Sequence, residues 1–567
     1  TYLKDLLLLE AVGCKDWLTN KVDRCVSGRV AQQQTVGPLQ LPLSNLGVMA
    51  LDYIGKYGVA TAIGHAPIIG LINPAKGSVN AIAESLTNIV WAPMSNGIKS
   101  VSLSANWMWP CNNPGENDRL YEAVKACSDF AIDLGINIPT GKDSLSMKQK
   151  YQEGDVLAPG TVIISSAGQC EDINKIVTPV ALPDKGKLYY INLSSERHVL
   201  GGSSLNQIFN KIGSKAPGIS NVSLFKNAFN LLQKLILEEK IISGHDVSSG
   251  GLITSLLEMC FPSKGVGMEI NLTSLKEKDT TALLFAENSA WILQSEMDLT
   301  DYFNSFGIDC KSIGIVTGTG RLKTSNYQDD LDLDVSEYRD VWFSSSAALD
   351  ARQNKFAKER FENYGSIPLK FNFPSHFDGK LSQSQPNKIK AAIIREKGSN
   401  SEREMAYAMH SVGFEVHDIH MTDLINGRKT LKEFQFIAAV GGFSNSDVLG
   451  SAKGWAGAFL YNPKAKRSLD DFFAREDTLS LGVCNGCQLF IELGMITPSH
   501  EVLPKMHHND SGKFECQFTA VKIGHSTSVM MVGLENTTLG IWAAHGEGKF
   551  HLPMDESNYQ IPAKYHQ

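Results

Sequence analysis

The sequence has 567 residues, is 43% hydrophobic and 20% charged, and carries a formal net charge of −7. That length predicts several domains, the composition is ordinary for a soluble globular protein, and the acidic balance argues against nucleic acid or an anionic membrane as the main partner. No apolar run approaches the length of a membrane span, and ten cysteines without paired spacing suit a reducing cytoplasm.

The first residues, TYLKDLLLLEAVG, lack Met and a charged lead, so they are no signal peptide, and the chain reads as a piece of a longer one. Residues 1–165 read as mixed α/β. Strand-like runs, Lys99 to Leu103 and Thr161 to Ser165, alternate with helical stretches. The clearest helix is predicted over Gly77 to Trp91, with Val79, Ile82, Ala83, Leu86, Ile89 and Val90 on one face. On another face Glu84 and Asn88 are four apart, so their side chains can converge on one point. Taken alone, they read rather as a solvated pair.

Residues 166–190 carry strand and linker, and 187–365 look like a second α/β domain. Leu200-Gly201-Gly202-Ser203-Ser204 opens a helix, either as an anion cradle or as a plain cap. GHDVSSGG at 244–251 lies between two helices, and Asp246 there can cap a turn. Residues 366–387 are rich in Pro, Ser, Gln and Asn and read as a linker.

After it strands and helices alternate: Ile389 to Arg395, Glu402 to Val412, Glu415 to His420, a helical stretch to Glu433, then Phe436 to Val440. This order predicts a parallel sheet with helices on both faces, with a site at the carboxyl ends of its strands. GGFSNSD follows the last of these strands. Its amides at Gly442 or Phe443 can complete an oxyanion hole with the Asn485 N–H.

Residues 479–490, LSLGVCNGCQLF, are the most informative stretch. A strand ends near Val483, Asn485-Gly486 marks a tight turn, and a helix is predicted from Gln488. A cysteine on such a strand–turn–helix has the geometry of a nucleophile elbow, with Gly482 and Gly486 giving the backbone room. The helix N-terminus favours the thiolate of Cys484. Cys484 and Cys487 also form C-x-x-C, half of a zinc site or a redox dithiol, but no second C-x-x-C or H-x-x-x-H accompanies it. Downstream, IWAAHGEGKF offers His545 as base and Glu547 to orient its imidazole. In an extended segment these two side chains leave the same face.

GVCNGCQ together with HGEG resembles a class I glutamine amidotransferase. TVGPLQLP, ESLTNI, SLSANWM, GKDSLSMK and GGFSNSDVLG precede them in an order similar to the phosphoribosylformylglycinamidine synthase family in its large single-chain form. The resemblance covers essentially the whole chain, as the C-terminal part of a longer one. It implies a second aminoimidazole-ribonucleotide-synthetase-like unit of two subdomains, 1–186 and 187–365, then a linker at 366–387 and a flavodoxin-like amidotransferase domain at 388–567. The family continues past HGEGKF to a second histidine-containing motif, so the last domain reads as truncated.

The activity implied is ATP-dependent conversion of formylglycinamide ribonucleotide to formylglycinamidine ribonucleotide in purine biosynthesis, with glutamine as the nitrogen donor. The partners implied are these small molecules and the upstream half of the same chain, which supplies much of the synthetase site, so this piece alone is expected not to complete the reaction. Cys484, His545 and Glu547 would catalyse glutamine hydrolysis. Glu84, Asn88 and Asp246 would ligate Mg²⁺ at a bound ATP or ADP, with Lys15, Ser44 and Ser248 near the nucleotide. Asn45 stands where the family commonly has an aspartate ligand, Ser249 where a second acid often follows, and Asn445-Ser446 where it usually has Tyr-Gly. Two other classes stay open: a stand-alone thiol amidohydrolase, and a non-catalytic nucleotide-binding scaffold.

Overall fold

The computed structural model describes every residue except 1, 20, 21, 23, 328, 353–358, 360–369, 381–388, 498 and 567. The chain divides into two compact units, Thr1–Thr19 with Arg29–Asp350, and Asn20–Gly28 with Ala351–Gln567. Much of the linker expected at 366–387 lies outside the described residues. No helix among them is long and apolar enough to cross a membrane.

The first unit opens with a mixed sheet of β1 (Val30–Gln32), β2 (Gly47–Ala50), β3 (Gly58–His65), β4 (Val101–Met108) and β5 (Asn137–Ser144). A hairpin of β6 (Lys148–Tyr151) and β7 (Gly154–Leu157) leads to β8 (Thr161–Cys170). The sheet order is β1-β2-β3-β8-β4-β5, with only β4 and β5 parallel. The predicted 77–91 helix is Pro74–Ile89. It starts early because Asn73 caps it, accepting the Lys76 N–H at 2.8 Å, and Pro74 fits the first turn, where its missing N–H costs nothing. Its apolar face is buried except for the half-buried Val79; burying each of Ile82, Leu86 and Ile89 contributes about 1.5–3 kcal/mol.

A second sheet follows: β9 (Lys187–Asn192), β10 (Ser243–Val247), β11 (Gly267–Asn271), β12 (Ala290–Ser295), β13 (Cys310–Thr317), β14 (Arg321–Asn326) and β15 (Asp329–Asp334), ordered β10-β12-β9-β13-β11-β14-β15. The two sheets do not have separate cores. Trp91 meets Trp291 edge-on at 6.4 Å, and the buried Gln233 amide donates to the carbonyls of Val90 and Ala92 while accepting the Met94 N–H. One hydrophobic cluster runs from Leu46 through Phe229 to Cys310.

In the second unit β16 (Lys390–Arg395), β17 (Glu415–His420), β18 (Phe436–Ala439) and β19 (Leu479–Gly482) form a parallel sheet ordered β17-β16-β18-β19. This is the flavodoxin-like winding. Alternate β16 residues feed different cores: Ala392 and Ile394 pack with Trp455 and Phe472, Ala391 and Ile393 with Met409. The helix expected to run to Glu433 is only Met421–Asn426, stopped by Gly427 in the left-handed region. β20 (Lys505–His507), β21 (Glu515–Ile523), β22 (Thr538–His545), β23 (Lys549–His551) and β24 (Ala563–His566) add the ladders β20-β23 and β22-β21-β24. The described part of the expected linker joins this unit: Asn372 bridges Thr538, and Phe371 packs on Phe518.

Candidate functional site

Cys484 stands between β19 and the Asn485–Glu492 helix with φ 54° and ψ −111°. Such a backbone costs a non-glycine residue on the order of 1–3 kcal/mol and is typical of an exposed nucleophile on a sharp turn. The turn is forced by close packing. Val483 N–H donates to Ala439 O at 3.0 Å, and a Cβ added at Gly486 would lie 2.0 Å from that same oxygen. One added at Gly482 would lie 2.6 Å from Gly486 O. The helix starts at Asn485, three residues before its predicted start, with Cys484 at its N-cap.

Cys484 is exposed, and its Sγ lies 3.6 Å from Ala544 O. Cys487 differs: it is half-buried, and burial, with a smaller effect of Cys484, pushes its thiol up to about 11. A thiol held that high is not ionised at neutral pH and is inert as a nucleophile.

Of the expected oxyanion donors, Phe443 is a correction. Its N–H donates to Gly398 O at 2.9 Å, because the 441–443 segment lies beside 398–400 in a short bridge. That pairing gives Asn400 N–H to Gly441 O and leaves the Gly442 amide as the donor on this loop among the described residues. Gly442 has φ 112°, and an added Cβ would lie 2.7 Å from Asn400 N. Asn485 N–H, at the helix start, has no backbone partner among the described residues.

The expected His545–Glu547 pair is also corrected. β22 ends at His545 and the chain bends at Gly546 and Glu547, so the two side chains do not share a face. His545 Nδ1 meets Asn509 Oδ1 at 2.9 Å, and Nε2 faces the Tyr565 hydroxyl at 3.4 Å. Burial lowers its pKa, so the ring is neutral at pH 7. Glu547 Oε2 instead accepts the N–H and hydroxyl of Ser451, both at 2.9 Å.

These motif residues are nonetheless tied together. Ser444 N–H donates to Asn485 Oδ1 (3.2 Å), Asn485 Nδ2 to Gln488 Oε1 (2.8 Å), and Gln488 Nε2 to Glu547 O (3.0 Å). The chain of bonds fastens the loop after β18, the elbow helix and the HGEG turn around Cys484. Asn509, which the sequence reading missed, fastens the turn from the other side. Its Nδ2 donates to His545 O (2.7 Å) and Lys513 O (3.1 Å), and its Oδ1 accepts the Gly548 N–H at 3.1 Å.

Asn509→Ala is expected to lower the stability of this unit by about 2–4 kcal/mol, since each half-buried group left without a partner costs about 1–3 kcal/mol. Glu547→Gln, which keeps an acceptor for Ser451, is expected to cost under about 1 kcal/mol. Urea unfolding measures both. Equal, small losses would show that Asn509 does not hold the turn.

In the first unit, Glu84, Glu287 and Ser248 line a cavity of about 90 Å³ together with His65 and Thr87. Glu84 accepts the His65 N–H at 2.7 Å. Burial pushes its carboxyl up to about 8, with the Asp246 and Glu287 carboxylates adding to the effect. Glu287, also raised by burial, accepts the N–H groups of Ser204 and Gly250, both at 2.7 Å. Asp246 Oδ2 is buried and has no hydrogen bond among the described residues. Glu84 and Glu287 thus line the cavity as buried acids with Asp246 nearby, but no three His, Cys, Asp or Glu side chains among the described residues are grouped closely enough to hold a metal ion as they stand.

Beside it, His245 lies against Asn45 Oδ1 (2.7 Å), Asp246 Oδ1 (3.3 Å) and Glu258 Oε2 (3.2 Å). Burial opposes its charge, but hydrogen bonds to Asp246 and Glu258 outweigh it and hold its pKa up at about 9. So Asn45 is engaged with this imidazole.

The other expected residues are less close to this cavity. Asn88 Nδ2 points at Ile63 O, 3.4 Å away. The Lys15 ammonium donates to the carbonyls of Glu10 and Gly13, and the Ser44 hydroxyl to Leu46 O at 2.8 Å. Glu287 was not singled out from the sequence, because a lone acid in FAENSA carries no spacing signal.

Three family models match in order: an FGAR-AT PurM_N-like domain over residues 14–169, an AIR synthase related protein C-terminal domain over 187–325, and a CobB/CobQ-like glutamine amidotransferase domain over 388–567. A probable phosphoribosylformylglycinamidine synthase of Arabidopsis thaliana is 40% identical over 97% of this chain and 40% of its own. The phosphoribosylformylglycinamidine synthases of Homo sapiens and Dictyostelium discoideum are each 38% identical, over 99% and 97% of this chain and 44% of their own. The chain thus spans less than half the length of these relatives. Among solved structures, T. maritima PurL complexed with FGAR aligns with a TM-score of 0.42 and 12% identity, over 52% of this chain and 48% of that one. An AIR-synthase-like unit followed by a CobB/CobQ-like glutamine amidotransferase domain is the architecture here, and in sequence the chain is similar, nearly end to end, to phosphoribosylformylglycinamidine synthases.

Proposed function

We propose that this chain carries the glutamine-hydrolysing site, and a magnesium-dependent phosphate site, of an enzyme that makes formylglycinamidine ribonucleotide from formylglycinamide ribonucleotide, ATP and glutamine, releasing ADP, phosphate and glutamate. The observation that carries the reading is Cys484, exposed at positive φ where the Asn485–Glu492 helix begins. In this reading the thiolate attacks the glutamine amide carbon. The Asn485 and Gly442 amides receive the oxyanion, the proton first taken from the thiol passes by way of His545 to the departing nitrogen so that ammonia leaves, and water hydrolyses the glutamyl thioester to glutamate, restoring the thiol. The ammonia then displaces phosphate from the activated substrate amide at the synthetase site, along an internal path. His545, its Nδ1 fixed by Asn509, is the proposed proton shuttle, and Glu547, its carboxylate held by Ser451, acts as a positioning residue. Glutamate release from glutamine by this chain tests the reading; no release, with no covalent labelling by a glutamine-like diazo-ketone, would overturn it.

Glu84, Asn88 and Asp246 are the proposed Mg²⁺ ligands, with the cation serving to neutralise nucleotide phosphate charge and Asp246 Oδ2, buried without a hydrogen bond, supporting the reading. Lys15, Ser44 and Ser248 remain the proposed neighbours of an ATP or ADP, Ser248 already on the cavity wall. A cavity of about 90 Å³ holds a cation and phosphate oxygens, and leaves base and ribose outside.

Mg-ADP at a hundredfold excess over its Kd is expected to stabilise the protein by about 2.7 kcal/mol. Glu84→Gln is expected to remove most of that gain. Thermal unfolding with and without Mg-ADP measures it, and an undiminished shift in Glu84→Gln would remove Glu84 from the site.

A further inference from the structure

A second concave site lies at the other end of the amidotransferase sheet. The residues leading into β18 and β19 face away from Cys484, because in a parallel sheet the strand starts and the strand ends lie on opposite edges. There the end of the Met421–Asn426 helix, the 427–432 segment and the Pro463–Phe473 helix enclose a cleft of about 490 Å³. That volume is in the range of small-ligand sites.

Its lining is strongly cationic. Lys429, Lys432, Lys464 and Arg467 face one carboxylate, Asp471, in a chain where 60 acids outnumber 53 bases. Lys429, Lys432 and Arg467 make no hydrogen bond or ion pair with their side chains among the described residues, and Lys464 gives one N–H to Asn426 O at 3.1 Å. A fifth cation, Arg475, is already forked onto Asp477 at 2.8 and 2.9 Å. At the floor, Ser468 is buried and accepts the Leu431 N–H at 2.8 Å, so its own O–H remains to donate into the cleft.

We propose that this cleft binds a small oligophosphate anion, either inorganic or the phosphates of a nucleotide. Four cations around one concavity with Asp471 as the carboxylate on its lining leave a net positive charge that a bound anion offsets. Ammonium groups with an Arg fork and a hydroxyl at the floor are the donor set that phosphate oxygens take. No aromatic ring lines the cleft, so a base gains no stacking there and the phosphates are what is recognised. The proposal does not depend on the role given to Cys484.

Isothermal titration of the whole chain with tripolyphosphate, without Mg²⁺, tests it. One saturable site is expected, weakened about a hundredfold in Lys432→Ala/Arg467→Ala, at about tenfold per charged hydrogen bond. Both side chains are exposed, so the variant should keep the wild-type unfolding midpoint. Lys429→Ala/Lys432→Ala serves if it does not. Glu84→Gln should leave this binding unchanged, which separates the cleft from the carboxylate site. ATP binding no tighter than tripolyphosphate points to the inorganic anion, and tighter binding, lost in the double variant, to a nucleotide. Absent saturation, unchanged affinity in both double variants, or tighter binding of an acidic peptide than of tripolyphosphate overturns the proposal.

Discussion

Cys484→Ala is expected to abolish glutamine hydrolysis, by at least about a thousandfold, the scale on which removal of a covalent nucleophile acts. Cys487→Ala is expected to retain most of it. The two thiols are three residues apart, yet their surroundings are opposite. Cys484 is exposed at the helix start, where unpaired amides favour a thiolate. Cys487 sits one turn inside the helix, where burial pushes its thiol up to about 11. A glutamine-like diazo-ketone should therefore label wild type and Cys487→Ala at one site, and leave Cys484→Ala unlabelled. Labelling of Cys484→Ala, or its loss only in Cys487→Ala, would reverse the assignment. In an enzyme that also carries the synthetase reaction, Cys484→Ala should still use added ammonium salt, since the substitution touches only the release of ammonia.

The parts of this architecture that were legible in the sequence are those written in local pattern. The alternation from Ile389 to Val440 gave the parallel sheet because buried parallel strands read as short apolar runs between amphipathic helices. The elbow was legible because Gly-x-Cys-x-Gly records a contact between two nearby segments of backbone. The parts that were not legible depend on contacts between residues far apart in the chain. Asn509 binds His545 from 36 residues away, and an amide side chain carries no periodic signal.

The His545–Glu547 relay was read on the assumption of an extended strand, and the bend at Gly546 undoes it. Glu547 then finds the start of the Lys453–Leu460 helix by way of Ser451, where a carboxylate is favoured by the helix dipole. The same limit holds in the first unit. The strand and linker at 166–190 mark where one sheet's sequence ends, but not that Gln233 and Trp291 complete the core of the sheet before it.

Gly486→Ala is expected to damage both stability and catalysis, more than any other single-methyl change at the elbow. The added Cβ would lie 2.0 Å from Ala439 O and 2.4 Å from Ala439 C. Both atoms are backbone of β18, the strand paired on both sides by β16 and β19, so they cannot swing aside as a side chain would. The Asn485–Glu492 helix must move instead, and the bonds that fasten it must lengthen. These are Ser444 N–H to Asn485 Oδ1 at 3.2 Å and Gln488 Nε2 to Glu547 O at 3.0 Å. Overpacking of this kind costs about 1–3 kcal/mol, and the strained bonds bring the expected loss to about 2–4 kcal/mol. A displacement of about 1 Å also moves the Asn485 amide relative to Cys484, enough to cost about a hundredfold in glutamine hydrolysis. Gly524→Ala is the matched control: nothing lies within 4 Å of its added Cβ, and it should change stability by less than about 0.5 kcal/mol. Urea unfolding and a glutamate-release assay on the two variants read both effects. If Gly486→Ala behaves like Gly524→Ala, the elbow is looser than its backbone contacts imply, and the positive φ of Cys484 is not held by this packing.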